Sequence, residues 1–153
     1  MDRENPSYRI GQAAQAAGLS AASIRFYEKE GLLGPGTRSE ASYRLYSDED
    51  VHRLRFIRLC RALDMSLDEV RTLLALDLRD HADCERAQQT LDEHLRHVHE
   101  RMAELRALER DLQSLRACCD GQGPHCGIME ALHARADEPV PEAEPRGPAH
   151  RHV

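Results

Sequence analysis

The sequence predicts an all-α protein of 153 residues, built as a winged helix-turn-helix followed by one long helix and a short C-terminal loop. Aromatic residues make up only 4% of the chain and charged residues 31%, which favours a helical, surface-rich fold over a large compact core. Two short helical segments flank Gly18 near the N-terminus. From Asp83 to Cys118 no proline or glycine interrupts the chain, which indicates one continuous helix.

The first pair of helices lies in the stretch YRIGQAAQAAGLSAASIRFYEKEGLL. Alanines and an isoleucine at helical spacing give the first helix an apolar stripe, and Gly18 ends it. Ser20 is suited to cap the second helix, which runs to a stop at Gly31. In a helix-turn-helix the second helix enters the major groove of DNA, although a plain helical hairpin fits this stretch equally well. The residues expected on the exposed side of the second helix are Ser23, Arg25 and Tyr27.

A predicted wing decides between these two alternatives. After a Gly/Pro turn and a loop, the alternating segment YRLY at residues 43–46 predicts a short strand. Arginine and tyrosine are suited to bind phosphate oxygens, through a charged fork and a phenol hydroxyl respectively. Ser47 with Asp50, and Ser66 with Glu69, then predict the starts of two further helices, the last ending near Leu76. These features favour a winged helix.

The segment just described, continued by SYRLYSDEDVHRLRFIRLCRALDMSLDEVRTLL, resembles the MerR family of bacterial transcription regulators. The resemblance implies a homodimer that binds a palindromic operator between the two promoter elements. It also implies activation by distorting overlong spacer DNA, so that RNA polymerase engages both elements. The DNA contacts that the resemblance implies are Arg25 and Tyr27 on the recognition helix, and Arg38, Tyr43, Arg44 and Tyr46 on the wing and its loop.

The charge distribution is compatible with DNA binding at the N-terminal end. The net charge is −6, but residues 1–61 carry +2 and residues 62–153 carry −8. We expect a cytoplasmic protein, because the sequence contains neither a long apolar run nor a basic leader with an apolar core. An enzyme has little support, since no nucleophile and base form a recognisable pair.

The long helix, at residues 84–118, carries the apolar repeat of a coiled coil. A single stripe of this kind has nothing to pack against within one chain, so we expect it to pair with a second copy. Glu109 interrupts the repeat where an apolar residue would fit. The predicted seam consists of Leu91, Leu95, Val98, Met102, Leu105, Leu108, Leu112 and Leu115.

Three cysteines around this helix are candidate metal ligands. Cys84 and Cys119 stand at its two ends, roughly 50 Å apart at about 1.5 Å per residue, so one chain cannot bring them to one ion. In an antiparallel pair, Cys84 of one subunit would meet Cys119 and Cys126 of the other. Alignment with the family favours Cys119 over Cys118, and His125 is a possible fourth ligand. The Gly-rich loop between Cys119 and Cys126 lets the chain fold back over the helix end.

The metal follows from the ligands and from the resemblance. Three thiolates suit a soft or borderline divalent ion. The family's copper and gold sensors lack a cysteine at the position of Cys84, and the CGIM loop at residues 126–129 is most similar to the cadmium- and lead-responsive members. Zinc- and mercury-responsive regulators remain alternatives. A cytosolic thiol protein that buffers metal or senses redox state, without DNA binding, is the alternative from another class.

Histidines suggest a second metal site, although exposed histidines on a helix are more often simply solvated. The candidates are His94, His97, His150 and His152. The predicted organisation is a DNA-binding domain at 1–76, a connector at 77–83, the dimerisation helix at 84–118, the metal-binding loop and a short helix at 119–136, and a disordered tail at 137–153, which holds four prolines.

Overall fold

The structure, a computed structural model, describes residues 7–34, 36–38 and 43–140. It confirms the helical fold with a small two-stranded wing. The helices are α1 (Ile10–Ala17), α2 (Ala21–Lys29), α3 (Asp48–Ala62), α4 (Leu67–Leu74), α5 (His81–Ala117) and α6 (Gly127–Ala136), and the strands are β1 (Thr37–Arg38) and β2 (Arg44–Leu45). No helix among the described residues has the length and apolarity needed to cross a membrane. The chain divides into two compact units, at residues 1–90 and 91–153.

The first unit folds around a hydrophobic core that α1 to α4 build together. Ala13, Ala14 and Ala17 line the inner side of α1, where their small side chains let α2 and α3 approach closely. Cys60 lies in this core, and burial raises the pKa of its thiol. The other buried members are Ile24, Tyr27, Leu32, Leu33, Tyr46, Val51, Leu54, Ile57, Met65 and Val70.

Helix ends in this unit follow the predicted signals. Gly18, with φ of 70°, follows α1 in the left-handed conformation that glycine adopts without strain. The Ser20 hydroxyl accepts a hydrogen bond from the backbone N–H of Ser23. Ser47 and Ser66 each form a reciprocal capping box, with an acidic residue three positions later. These local interactions set the turn between α1 and α2 and the starts of α3 and α4.

The wing is an antiparallel ribbon in which Thr37 pairs with Leu45 and Arg38 with Arg44. The chain before α1 extends it, because Tyr8 and Tyr46 exchange two backbone hydrogen bonds of 2.8 Å. The predicted strand at residues 43–46 is therefore confirmed at Arg44–Leu45, and Tyr46 directly after it pairs with Tyr8 before α1.

Helix α5 begins at His81, three residues before the predicted start, because the Asp80 carboxylate accepts a hydrogen bond from the backbone N–H of Ala82. Within the second unit, α6 returns beside the end of α5, where Arg135 forms an ion pair of 2.8 Å with Asp111. Leu115 is the buried residue of α5, while the rest of the predicted seam is half-buried or exposed in the single chain.

Candidate DNA-binding face and metal centre

The rotation of α2 is set by the two side chains that it buries, Ile24 and Tyr27. Tyr27 is only 8% exposed and belongs to the core, so the expectation that it lies on the exposed side is wrong. The reason is its spacing, because Tyr27 follows Ile24 by three positions and shares its inward face. Ser23 is half-buried, and its hydroxyl lies 2.9 Å from that of Ser20. Arg25 is exposed as expected.

A cleft of about 660 Å³ opens between the start of α1, α2 and the wing. Three arginines line it, namely Arg9 before α1, Arg25 on α2 and Arg44 on β2. Exposed Tyr43 stands at the same cleft, where the Arg9 guanidinium lies 5.0 Å from the centre of its ring. Guanidinium groups gathered from three elements, beside a phenol hydroxyl, form a site suited to the phosphates of a nucleic-acid backbone.

The position of Arg44 is fixed by several contacts within the domain. Its Nε lies 3.2 Å from Oε1 of Glu28, and its Nη2 donates a hydrogen bond of 2.7 Å to the carbonyl oxygen of Gly34. A Cβ at Gly36 would lie 2.7 Å from the same Nε, so a residue with a side chain there would displace the guanidinium. Arg44 is therefore held at the cleft before any ligand arrives.

Tyr46 is fully buried, so the expectation that it contacts DNA from the wing does not match its position. Its hydroxyl donates a hydrogen bond to the Glu28 carboxylate. Burial, together with this hydrogen bond, raises the pKa of Tyr46 above its ordinary value. Tyr46 thus fastens the wing to α2 through Glu28. Arg38 lies on β1, and its side chain is outside the described part of the structure.

Two of the three predicted thiol ligands come together after the end of α5. Cys126 is the N-cap residue of α6, and Gly127 beside it lies against the Cys118 carbonyl oxygen, which brings Cys126 back to the end of α5. The pKa of Cys126 is lowered, first by the backbone N–H groups of Met129 and Ile128, although neither forms a cap hydrogen bond of ordinary geometry. The neighbouring Cys118 thiol instead donates to the Ser114 carbonyl oxygen, at 3.4 Å.

This return of the chain depends on Gly127. A Cβ at that position would overlap the carbonyl oxygen of Cys118, which is backbone and cannot easily move. His125 is exposed in the same loop. Cys84 is exposed in the first turn of α5, a helix of 37 residues. The pairing of Cys119 with Cys126 thus belongs to one chain, whereas Cys84 lies at the opposite end of α5.

Comparison with known proteins identifies the family. Residues 8–77 match the family defined as MerR HTH family regulatory protein, and residues 51–115 match MerR, DNA binding. The chain belongs to the MerR family. It is 38% identical over 133 residues to the HTH-type transcriptional regulator ZntR of Escherichia coli (strain K12), which covers 84% of this chain and 94% of that protein.

Two solved structures are also similar to this MerR-family chain. The transcription regulator PbrR691 from Ralstonia metallidurans CH34, solved in complex with lead(II), is 45% identical, with a TM-score of 0.71 over 81% of this chain and 98% of that one. The dual function regulator MerR from Bacillus megaterium MB1, in complex with the mercury(II) ion, is 29% identical, with a TM-score of 0.65 over 82% of this chain and 99% of that one.

Several residues of the cleft in this MerR-family chain were not found from the sequence. The backbone N–H of Arg9, directly before α1, donates a hydrogen bond of 3.0 Å to Oε1 of Gln12, and both residues line the cleft. The sequence feature that could have identified Arg9 is its position directly before a helix with an apolar repeat. Glu28, which holds both Arg44 and Tyr46, carried no signal, because its partners are 16 and 18 positions away in sequence.

The histidine site stays a prediction. His94 and His97 lie about one turn apart on α5, with the former half-buried and the latter exposed. Nε2 of His97 lies 3.2 Å from Nη2 of Arg96. His150 and His152 lie outside the described residues.

Proposed function

We propose that this chain is a metal-responsive transcription regulator that binds promoter DNA as a homodimer and activates genes for heavy-metal resistance or efflux. The observation that carries the proposal is that the chain brings Cys119 and Cys126 together at the end of α5, the helix whose first turn contains Cys84. Two soft ligands already together lower the cost of ordering a metal site. Because promoter DNA lies in the cytoplasm of bacteria, that is where the protein acts.

The DNA-binding half of the proposal rests on the basic cleft. Arg9, Arg25 and Arg44 would contact phosphates, while the exposed face of α2 enters the major groove. The dimer would hold two such faces against a palindromic operator. Metal binding then biases the dimer toward a state that distorts the promoter spacer, so that RNA polymerase engages both promoter elements.

The homodimer is supported by the exposed seam of α5. Leu91, Leu95, Met102, Leu105, Leu108 and Leu112 are all exposed in the single chain, although they follow the apolar repeat of a coiled coil. Burial of this stripe against a second copy would remove it from water. An antiparallel pair brings Cys84 of each subunit to Cys119 and Cys126 of the other, which completes a three-thiolate site twice per dimer.

Cadmium or lead is the proposed inducer. Three thiolates suit soft or borderline divalent ions, and the 45% identical regulator was solved with lead(II). Mercury is the second candidate, because a 29% identical regulator was solved with the mercury(II) ion. Zinc uses the same ligand class and remains a competitor in any titration. A thiol buffer without DNA binding is not favoured, because it leaves the arginine cleft without a role.

Subunit complementation tests the shared site. Cys84→Ser and Cys119→Ser homodimers should each lose tight cadmium and lead binding, since every site lacks one thiolate. A heterodimer of the two variants carries both changes in one site and leaves the other intact. It should therefore recover one tight metal per dimer, with thiolate charge-transfer absorption in the ultraviolet.

Cys118→Ser is the matched control and should bind as the unmodified protein does, because its thiol is hydrogen-bonded to Ser114. If the ligands of each site came from one chain only, each site of the heterodimer would lack one thiolate, and tight metal binding would not be recovered. Purified heterodimers that bind no better than either homodimer would overturn the antiparallel, shared site.

A further inference from the structure

Helix α2 exposes a phenylalanine that the domain core does not use. Phe26 is 47% exposed, and it is neither a member of the core nor among the half-buried side chains packed against it. The chain has only two phenylalanines. Burial of this ring against a partner would gain stabilisation that the single chain does not use.

The face of α2 that carries Phe26 is well defined. Ala22, Arg25, Phe26 and Lys29 follow the spacing of one helical face, and each is exposed or half-buried. Helix α2 cannot rotate to present its opposite face, because Ile24 on that face is fully buried in the core. The ring of Phe26 is also tilted against that of Tyr27, with 5.6 Å between the centroids. Phe26 therefore points outward on the same face as Arg25.

The basic residues around this face indicate what kind of molecule it binds. Arg25 lines the cleft that also contains Arg9 and Arg44, and Lys29 adds a further cation on the same helix face. Basic groups around a single apolar ring suit a polyanion that offers a small apolar surface. Duplex DNA offers one in the major groove, the C5-methyl group of thymine. A phenylalanine ring has no hydrogen-bonding group, so it cannot recognise the donors and acceptors of the other base edges.

We propose that Phe26 is a specificity-determining residue that contacts a thymine methyl group in each half-site of the operator. This inference rests on the proposed operator binding by α2. In it, Arg25 and the wing supply contacts to the backbone and to base edges, and Phe26 selects thymine at one position. The dimer makes this contact twice.

The test removes the methyl group from the DNA rather than from the protein. A duplex is first selected from a randomised pool with the full-length protein, and each thymine is then replaced by deoxyuridine in both half-sites. Deoxyuridine keeps base pairing and lacks only the methyl group. Affinity should fall by about fourfold for each half-site at one thymine position, the effect of exposing one methyl-sized group. Phe26→Ala should bind the thymine duplex more weakly than the unmodified protein, and replacing that thymine by deoxyuridine should not weaken its binding further. Phe26→Leu should keep part of the fall in affinity that deoxyuridine causes.

Leu59→Ala is the matched control, because Leu59 is also apolar and 58% exposed but lies on α3. It should show the same deoxyuridine penalty as the unmodified protein. Circular dichroism melts of all three variants establish that they are folded. The proposed contact is overturned if Phe26→Ala shows the same loss of affinity on deoxyuridine substitution as the unmodified protein. It is also overturned if the unmodified protein loses no affinity at any thymine. A Phe26→Ala protein that loses only DNA bending overturns it as well, and would indicate a wedge between base pairs. Failure to select any duplex would instead overturn the DNA-binding proposal itself.

Discussion

The two units of the chain differ in how they are held together. Residues up to Thr90 share a core in which α1, α2, α3, α4 and the wing all bury side chains. In the described part of the second unit, from Leu91 to Val140, Leu115 is the buried hydrophobic residue, and the other leucines of the α5 seam are exposed. The first unit therefore has a core of its own, whereas the seam leaves its apolar surface in water unless a second chain covers it.

The difference divides the proposed function between the units. The DNA-binding face needs fixed geometry, which α2 takes from its buried side chains and the wing takes from Glu28. The proposed metal site would need to change state when metal binds, and every residue of its loop, from Cys119 to Cys126, is exposed. Regions that switch are drawn from the less stable parts of a protein.

The largest expected effect tests this contrast in packing. Ile57→Ala, in the core, should lower the free energy of unfolding by about 2–5 kcal/mol at every protein concentration. Leu105→Ala, at a seam position that is 51% exposed in one chain, should destabilise only through dimerisation, so its effect should appear in the concentration dependence. Urea titrations at several protein concentrations make the measurement. A concentration-independent loss for Leu105→Ala would remove the contrast.

A second prediction concerns the fold of the thiol loop. Gly127→Ala should weaken cadmium binding by about 10–100-fold, the range seen when groups supporting metal ligands are changed, because its Cβ would overlap the Cys118 carbonyl. Gly123→Ala is the control from the same loop, since its Cβ would lie 3.6 Å from the His125 carbonyl oxygen, an ordinary contact. Competition titrations with a chromophoric chelator compare the two. Equal affinities would show that the close return of the chain is not needed for binding.

A third prediction sharpens the role of the wing. Arg44→Ala should weaken binding to all duplexes alike and reduce the slope of log affinity against log salt by about one for each phosphate that Arg44 neutralises. Arg101→Ala removes the same charge from the exposed surface of α5 and should leave both quantities unchanged. Fluorescence anisotropy over a salt series provides the slopes. Parallel slopes for Arg44→Ala and the unmodified protein would exclude a phosphate contact by Arg44.

The smallest expected effect is on thiol reactivity. The folded pKa of Cys126 lies below that of an ordinary thiol, because backbone N–H groups at the start of α6 favour its thiolate. Since the folded pKa is the lower one, the stabilisation of the loop from this group is present above the unfolded pKa and is lost as the pH falls through the folded value. Iodoacetamide labelling followed by mass spectrometry should give a lower midpoint for Cys126 in the folded protein than in urea. Coincident midpoints would contradict the shift.

Local sequence determined much of this protein. Glycine stops and serine caps set the ends of α1 and α2 and the starts of α3 and α4, because these signals act over three or four residues through the chain's own backbone. The uninterrupted run after Asp83 predicted α5, and the glycines around Pro124 predicted the return of Cys126 to the helix end. The ligand role of the three cysteines remains a proposal.

Tertiary structure decided which side chains of the DNA-binding unit point outward. Tyr27 and Tyr46 were expected at the DNA, but both are buried, and Phe26 and Arg9 are available instead. Tyrosine suits a phosphate contact and a core equally well, so its residue type alone cannot distinguish them. The choice is made by distant packing partners, as when Glu28 on α2 accepts the hydroxyl of Tyr46 from the wing. Such contacts exist only once the chain has folded, because they join residues that are far apart in sequence.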